Sequence, residues 1–299
     1  MHTHHITVCI CTFKRPALLQ ELLNALTDQT TGGLFTYSVV VADNDPGRSA
    51  EQPVAGFASG SQLVVTYCHQ PKQNIALTRN AALQHSSEGD LVAFIDDDEV
   101  PVRDWLHQMF TAYKTYGVAG ILGPVRPRFH FDPPGWVKRG CFFDRPSHKT
   151  GYRLTWTEAR TGNVLFRRDI LQGATEPFDI HFDSAGEDMD FFRRMMDQGH
   201  VFLWCEEAPV YEVVPPYRCN RAYLFKRALL RGSNFSKHPA DRLKNLLKSL
   251  VAVPCYAMVL PVLLVLGQHL FIRYTIKLLD HGSRILAFLG YHVVTERTT

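Results

Sequence analysis

Four acids in succession, Asp96-Asp97-Asp98-Glu99, follow the apolar run Leu91–Ile95. Acids crowded at the end of a buried strand repel one another unless a cation offsets them, and in open α/β sheets ligands gather at the carboxyl ends of strands. Hard oxygen donors there suit Mg2+ or Mn2+, which commonly bridge a diphosphate. An acidic turn capping the next helix accounts for these four residues equally well, because carboxylates favour the positive end of a helix dipole. Two further strand ends tip the balance: Cys11-Thr12-Phe13-Lys14-Arg15-Pro16 after Ile6–Thr12, and Asp43-Asn44-Asp45 after Tyr37–Ala42. Polar groups at three neighbouring strand ends can converge on one crevice. A second acidic pair, Glu187-Asp188, stands between Gly186 and Met189-Asp-Phe-Phe-Arg-Arg, as at a helix N-terminus. The dipole there favours an ionised carboxylate, which can take a proton from an attacking hydroxyl. An ordinary capping pair is the alternative.

Other phosphate chemistries lack their motifs. No GxGxxG follows the first strand and no Walker-type loop occurs, so a diphosphate must be neutralised by metal and basic side chains. The net charge of +3 is too small to argue for nucleic acid as a partner. Seven cysteines, odd in number and without a CxxC, argue against a disulfide framework or zinc site and fit a reduced compartment. Cys9 and Cys11 alternate along the first strand and are expected on one buried face. Met1-His-Thr-His-His5 carries no apolar leader stretch, and His2, His4 and His5 could hold metal adventitiously.

The elements that must position these residues alternate between strand and helix. Strands are expected at Ile6–Thr12, Tyr37–Ala42, Leu63–Cys68, Leu91–Ile95 and Val118–Leu122, with helices after Pro16, around Ala76–His85 and over Pro101–Tyr116. Residues 124–160, rich in Pro, Gly and aromatics, read as loops. Short strands return near Asn163–Phe166 and Val201–Trp204, with a helix over Asp188–Gln198. The class is α/β, with a mixed, mostly parallel sheet.

Composition changes beyond Tyr217. Residues 217–248 hold nine Lys or Arg (Arg218, Arg221, Lys226, Arg227, Arg231, Lys237, Arg242, Lys244, Lys248) against one acid, Asp241. Such a run fits anionic headgroups or a lipid-linked diphosphate, although a solvated helix face is the common alternative. Ser249–Ile272 then holds 24 residues without formal charge, long enough to cross a bilayer core. Pro254 and Pro261 interrupt it and basic residues flank both sides, so a kinked re-entrant or interfacial segment is expected, a buried soluble helix being the alternative; Ile285–Val294 could lie beside it. The chain thus divides into an α/β domain over 1–215, a basic amphipathic helical region over 216–248 and an apolar membrane-associating segment over 249–299.

Val8-Cys-Ile-Cys-Thr-Phe-Lys-Arg-Pro16, Val40-Val-Ala-Asp-Asn44, Gln73-Asn-Ile-Ala-Leu-Thr-Arg-Asn80, Asp96–Glu99, Thr161-Gly-Asn-Val-Leu-Phe-Arg167 and Gly186-Glu-Asp188 occur in that order. Together they resemble the family 2 glycosyltransferases of the GT-A fold, closest in character to bacterial exopolysaccharide enzymes of the succinoglycan type. The resemblance implies that Thr12, Arg15, Asp43, Arg79, Asp96 and Asp97 lie about the nucleotide and its phosphates, with Asp97 at the variable middle position. It implies Asp98 as the ligand of Mn2+ or Mg2+, and Gly162 and Asn163 under the donor sugar or acceptor. Asp188 would be the general base with Glu187 beside the acceptor, while His181 and Glu212 are weaker candidates for metal or phosphate contacts. Some relatives carry a histidine near the Glu212 position. The QxxRW motif of processive synthases is missing between 200 and 240, which favours one sugar per event.

The expected activity is an inverting, metal-dependent transfer from a nucleotide-sugar, UDP-linked, to a lipid-linked or saccharide acceptor. Its expected place is a membrane surface, at the cytoplasmic face of the bacterial inner membrane. The rival readings are a sugar nucleotidyltransferase, which would need a glycine-rich signature near the N-terminus, and a catalytically inactive membrane scaffold.

Overall fold

Apolar runs of three to nine residues, alternating with helices that turn an apolar side inward, build a sheet covered on both faces. A computed structural model describes residues 3–86, 89–173, 176–182, 186–235, 242–291 and 293–294. In chain order the elements are β1 (His4–Thr12), α1 (Pro16–Thr27), β2 (Phe35–Asp43), α2 (Glu51–Gly60), β3 (Val65–His69), α3 (Ile75–Gln84), β4 (Leu91–Asp96), β5 (Glu99–Pro101), α4 (Trp105–Tyr116) and β6 (Gly120–Leu122). They continue as β7 (Val125–Arg128), α5 (Gly135–Gly140), β8 (Asn163–Arg167), α6 (Glu187–Asp197), β9 (Phe202–Trp204), β10 (Val210–Val213), α7 (Arg221–Phe235), α8 (Arg242–Leu266) and α9 (Gln268–Phe288).

The main sheet has the order β3-β2-β1-β4-β8-β6-β9, and a small sheet the order β5-β10-β7. Pairing is parallel from β3 through β4 and between β6 and β9, while β8 runs antiparallel to both neighbours. The mixed, mostly parallel α/β expectation holds. Ile6, Val8 and Ile10 face α1 and α4, packing on Leu19, Leu22, Leu23, Trp105 and Met109. Cys9 faces the other way with α3 and α6, against Ala76, Phe191 and Phe192, and Cys11 joins it on that side, as their alternation requires.

Local pattern and observed structure part company where tertiary pairing decides. The helix expected from Pro101 starts at Trp105, because Glu99–Pro101 pairs antiparallel with β10. The stretch 124–160, expected as loops, contains β7 and α5. The helix α2 has no counterpart among the expected elements. His4 lies 3.7 Å from Asp90 and the His5 ring bonds Thr36 and Ser38, so both histidines have partners in the fold, whereas His2 lies outside the described residues.

Contacts divide the chain into two compact units: Met1–Pro127 with Arg145–Val213, and Arg128–Asp144 with Val214–Thr299. The second has its own core of Val137, Phe143, Val214, Cys219, Leu224 and Ile272, ringed by aromatics. Within it α9 packs against α7, α5 and α8. The apolar segment does not run through to Ile272: α8 continues across Pro254 and Pro261, and the chain turns at Gly267, whose φ of 150° suits glycine. Lys237 and Asp241, and the side chain of Arg242, lie outside the described residues.

Candidate active site

The carboxyl ends of β2, β1 and β4 stand in register, with Thr12 opposite Asp43 and Cys11 opposite Asp96. This register carries the first cluster. The Thr12 hydroxyl donates to Asp97 Oδ2 at 2.8 Å, and Arg15 Nη1 donates to Asp97 Oδ1 at 3.0 Å and Asp98 Oδ2 at 3.1 Å. Burial pushes Asp97 up to about 6, against the lowering pull of Arg15. Asp43, 0% exposed, accepts the N–H groups of Asp45 and Ala50 at 2.9 and 2.8 Å and the Tyr67 hydroxyl at 3.2 Å. Its carboxylate therefore orders the turn that leads from β2 into α2.

Glu99 forms the floor of the site. Its Oε2 accepts the Asp96 N–H at 3.1 Å, while the buried Oε1 has no hydrogen-bond partner among the described residues. Burial, then the charge of Asp96, pushes Glu99 well above the usual carboxylate range, and burial raises Asp96 against the pull of Arg79 and Arg145. A Cβ on Gly162 would lie 2.8 Å from Glu99 Oε1 and 3.0 Å from Asp96 Oδ2. Glycine is thus the residue that lets β8 begin against two carboxylates. The neighbouring Asn163 has its whole amide engaged: it accepts from Trp105 Nε1 at 2.8 Å and donates to the carbonyls of Pro124 and Ala208 at 3.0 and 2.9 Å.

The second acidic pair reaches the first through Arg79. From α3, whose N-terminus is capped by Asn74, the Arg79 guanidinium donates to Glu187 Oε1 and lies 5.6 Å from the Phe178 ring. Burial works against its charge, but Glu187, Asp188 and Asp96 act together to hold it more firmly protonated than usual. Glu187 is buried and its Oε2 has no partner among the described residues. Asp188, partly exposed in the first turn of α6, accepts the Met189 N–H on Oδ1 at 2.8 Å. Asn80 braces the approach by exchanging hydrogen bonds with the backbone of Phe178. His181 is exposed and bonds Asp179.

Arg145 was not legible in the sequence. Glu212 on β10 lies directly opposite Glu99 on β5, and two like charges so placed repel. Arg145 Nη2 donates to Glu212 Oε2 at 2.5 Å. Burial opposes its charge, and the pull of Glu212, then Glu99 and Asp96, more than offsets that. Only the pairing of β5 with β10 shows that a cation is needed there.

Among the described residues no three His, Cys, Asp or Glu side chains form a ready metal cage. Mg2+ is usually held by one or two carboxylates together with substrate phosphates. Asp96 and Asp98, both close enough to push Glu99 up, with a buried Glu99 oxygen that has no partner among the described residues, fit that manner of binding.

Residues 7–173 match Glycosyl transferase family 2, and residues 91–289 match Glycosyl transferase family group 2. The chain is 36% identical over 248 residues to the succinoglycan biosynthesis protein ExoM of Rhizobium meliloti (strain 1021), covering 82% of this chain and 78% of that one. It is 26% identical to the glycosyltransferase AglE of Haloferax volcanii, over 68% of this chain and 64% of that one. The structure of Staphylococcus aureus TarS 1–349 with UDP is similar at a TM-score of 0.55 and 16% identity, over 98% of this chain and 94% of that one. The same protein with UDP-GlcNAc gives 0.53 at 15% identity, over 81% and 70%. At such identities the likeness concerns the fold, which is GT-A. By the span of the family match and its identity to ExoM, the chain belongs to glycosyltransferase family 2 and is a glycosyltransferase.

Proposed function

We propose that this enzyme transfers one sugar from a UDP-sugar to a lipid-linked or saccharide acceptor in bacterial polysaccharide biosynthesis, with inversion at the anomeric carbon. The observation that carries the reading is the meeting of two acidic stretches about Arg79, with Asp96 on one side and Glu187-Asp188 on the other. The relatives supply its context: ExoM is named for succinoglycan biosynthesis, and TarS was solved with UDP and with UDP-GlcNAc.

In this reading Thr12, Arg15 and Asp97 border the nucleotide, Asp43 shapes the turn beside it, and Arg79 and Arg145 set positive charge near the phosphates. Asp98 and Asp96 would hold Mn2+ or Mg2+. A bound divalent cation supplies charge to offset that building on the diphosphate. Gly162 leaves room beneath the sugar, and Asn163 fixes the backbone that places Gly162. The acceptor hydroxyl oxygen attacks C1 and the C1–O bond to the diphosphate breaks, its electron pair leaving on the nucleoside diphosphate. The hydroxyl proton passes to the Asp188 carboxylate, and Glu187 holds Arg79 against the reacting groups. The work takes place at the cytoplasmic face of the membrane.

The test is release of UDP from a panel of UDP-sugars by the purified enzyme, with and without Mn2+, in the presence of extracted lipid acceptors. Cation-dependent release of UDP with one donor supports the reading. Silence across all donors favours an inactive scaffold, and pyrophosphate release from UTP and a sugar phosphate favours a nucleotidyltransferase.

A further inference from the structure

The outer face of α8 is apolar and uncovered. Leu243–Leu266 is, among the described residues, the one helix long and apolar enough to cross a bilayer core. Yet it is far from being a core helix of the unit: Val251, Met258 and Val265 are 66%, 72% and 87% exposed, and Val262, Leu264 and Leu266 are exposed beside them. From Ser249 to Leu266 no residue carries a charge, a length of about 27 Å.

What lies against α8 decides between crossing a membrane and lying on it. The chain reverses at Gly267 and α9 returns along α8, with Ser249 Oγ 2.9 Å from His281 Nδ1 and the Tyr256 and Tyr274 rings 5.7 Å apart. This register sets Arg273, Lys277 and Asp280 of α9 beside the uncharged stretch of α8, with Arg284 just beyond its start. Those charges belong to the helical unit. Arg273 donates to the Gly140 carbonyl at 2.6 Å, and Asp280 accepts from Arg231 of α7 at 3.0 Å and from Arg284 at 2.6 Å. A Cβ on Gly232 of α7 would lie 2.3 Å from the Asp280 carbonyl, so α7 and α9 meet backbone to backbone. A hairpin that crossed the bilayer would carry this ionic set to hydrocarbon depth, where each charge is costly. A crossing α8 would otherwise have to part from α9.

We infer that α8 and α9 form an in-plane hairpin, with the exposed face of α8 sunk into one leaflet of an anionic bilayer and Arg273, Asp280 and Arg284 of α9 bonded within the helical unit. The occupant of the face is set by the charges at its margin: Lys244 and Lys248 on α8 and Lys277 on α9 are exposed, and no acid interrupts α8. An amphipathic helix with a basic margin binds at the boundary of headgroups and acyl chains, more strongly where lipids are anionic. This deepens the proposed membrane setting and rests on it, but its tests read membrane binding without sugar transfer.

Flotation of the full chain with phosphatidylglycerol/phosphatidylcholine vesicles is the first test. The double variant Met258→Glu/Val262→Glu should lose at least tenfold in bound fraction while keeping its helical circular dichroism and its thermal unfolding midpoint. Lys244→Glu/Lys248→Glu should weaken binding to the anionic vesicles by about fivefold per charge and leave binding to pure phosphatidylcholine unchanged. Equal flotation of wild type and Met258→Glu/Val262→Glu would overturn the inference. So would absence of vesicle binding with an α8-dependent dimer in solution, which would make a second copy the occupant. The second test places a thiol at the hairpin tip as Gln268→Cys in a background with Cys141 and Cys255 replaced by Ser. In intact spheroplasts a membrane-impermeant maleimide should leave it unlabelled, and detergent should expose it. Labelling before detergent would show a crossing hairpin instead.

Discussion

Two arginine–carboxylate centres, one in each unit, look alike in composition and differ in completeness. In the helical unit both oxygens of Asp280 are matched, Oδ1 by Arg231 and Oδ2 by Arg284. In the α/β unit Arg79 engages one oxygen of Glu187, while the other, like one oxygen of Glu99, is buried without a partner among the described residues. Buried polar atoms are ordinarily hydrogen-bonded, and leaving one unmet costs about 1–3 kcal/mol. The saturated centre holds helices together. On the proposed reading the unsaturated one offers its acceptors to a ligand, and so the two should respond to mutation in opposite ways.

The sharpest test of that contrast is Asp188→Asn. Loss of the proton acceptor should lower kcat by about 10²–10⁴-fold, while calorimetry finds UDP affinity within about twofold of wild type. Wild-type turnover would refute the base assignment and leave the unmatched carboxylates without a chemical purpose. Arg145→Ala comes next. Removing the guanidinium that bonds Glu212 and offsets its charge and that of Glu99 should cost about 10–100-fold in kcat/KM for the donor, the range of a hydrogen bond to a charged group. Arg145→Lys should restore part of this, and an unchanged kcat/KM in the alanine variant would reduce the residue to a surface ion pair.

Asp280→Asn probes the other side of the comparison. It breaks a matched, mostly buried centre, so thermal unfolding should show a loss of about 1–3 kcal/mol, while UDP release from donor per folded molecule stays the same. A variant that melted like wild type but turned over slowly would reverse the roles assigned to the two centres.

The candidate active site was more legible in the sequence than the helical centre, for reasons that lie in locality. Thr12, Asp43 and Asp96–Glu99 follow directly from apolar runs, and strand-end position is a local property that parallel pairing turns into proximity. Arg79 and Glu187 were found as separate motifs, and their contact spans 108 residues, which no periodicity reports. Arg145 lies in a Pro- and aromatic-rich stretch, and its need arises only from strands of three and four residues, β5 and β10, too short to read as pattern. In the apolar segment Pro254 and Pro261 suggested the interruptions. The helix instead runs through both, with α9 along its side, and breaks at Gly267. Asn163 was expected with Gly162 under the donor sugar or acceptor; its three internal hydrogen bonds depend on Trp105, Pro124 and Ala208, remote in sequence.

The smallest expected effect concerns the acids when no cation is present. Burial raises Asp97 from 3.8 to about 6, and raises Asp96 and Glu99 in the same direction. A carboxyl whose folded value exceeds its unfolded value binds its proton more tightly in the native state. Its stabilising contribution is therefore complete below about pH 4 and is lost as pH rises through about 6. The metal-free enzyme should accordingly lose a few degrees of Tm between pH 5 and pH 7 relative to Asp97→Asn, in which that titration is gone. Adding Mn2+ at pH 7 should raise the Tm of the wild type more than that of Asp98→Asn. Parallel Tm–pH curves for wild type and Asp97→Asn would mean that Arg15 and Thr12 already neutralise the cluster, and the need for a cation at these strand ends would lose its electrostatic basis.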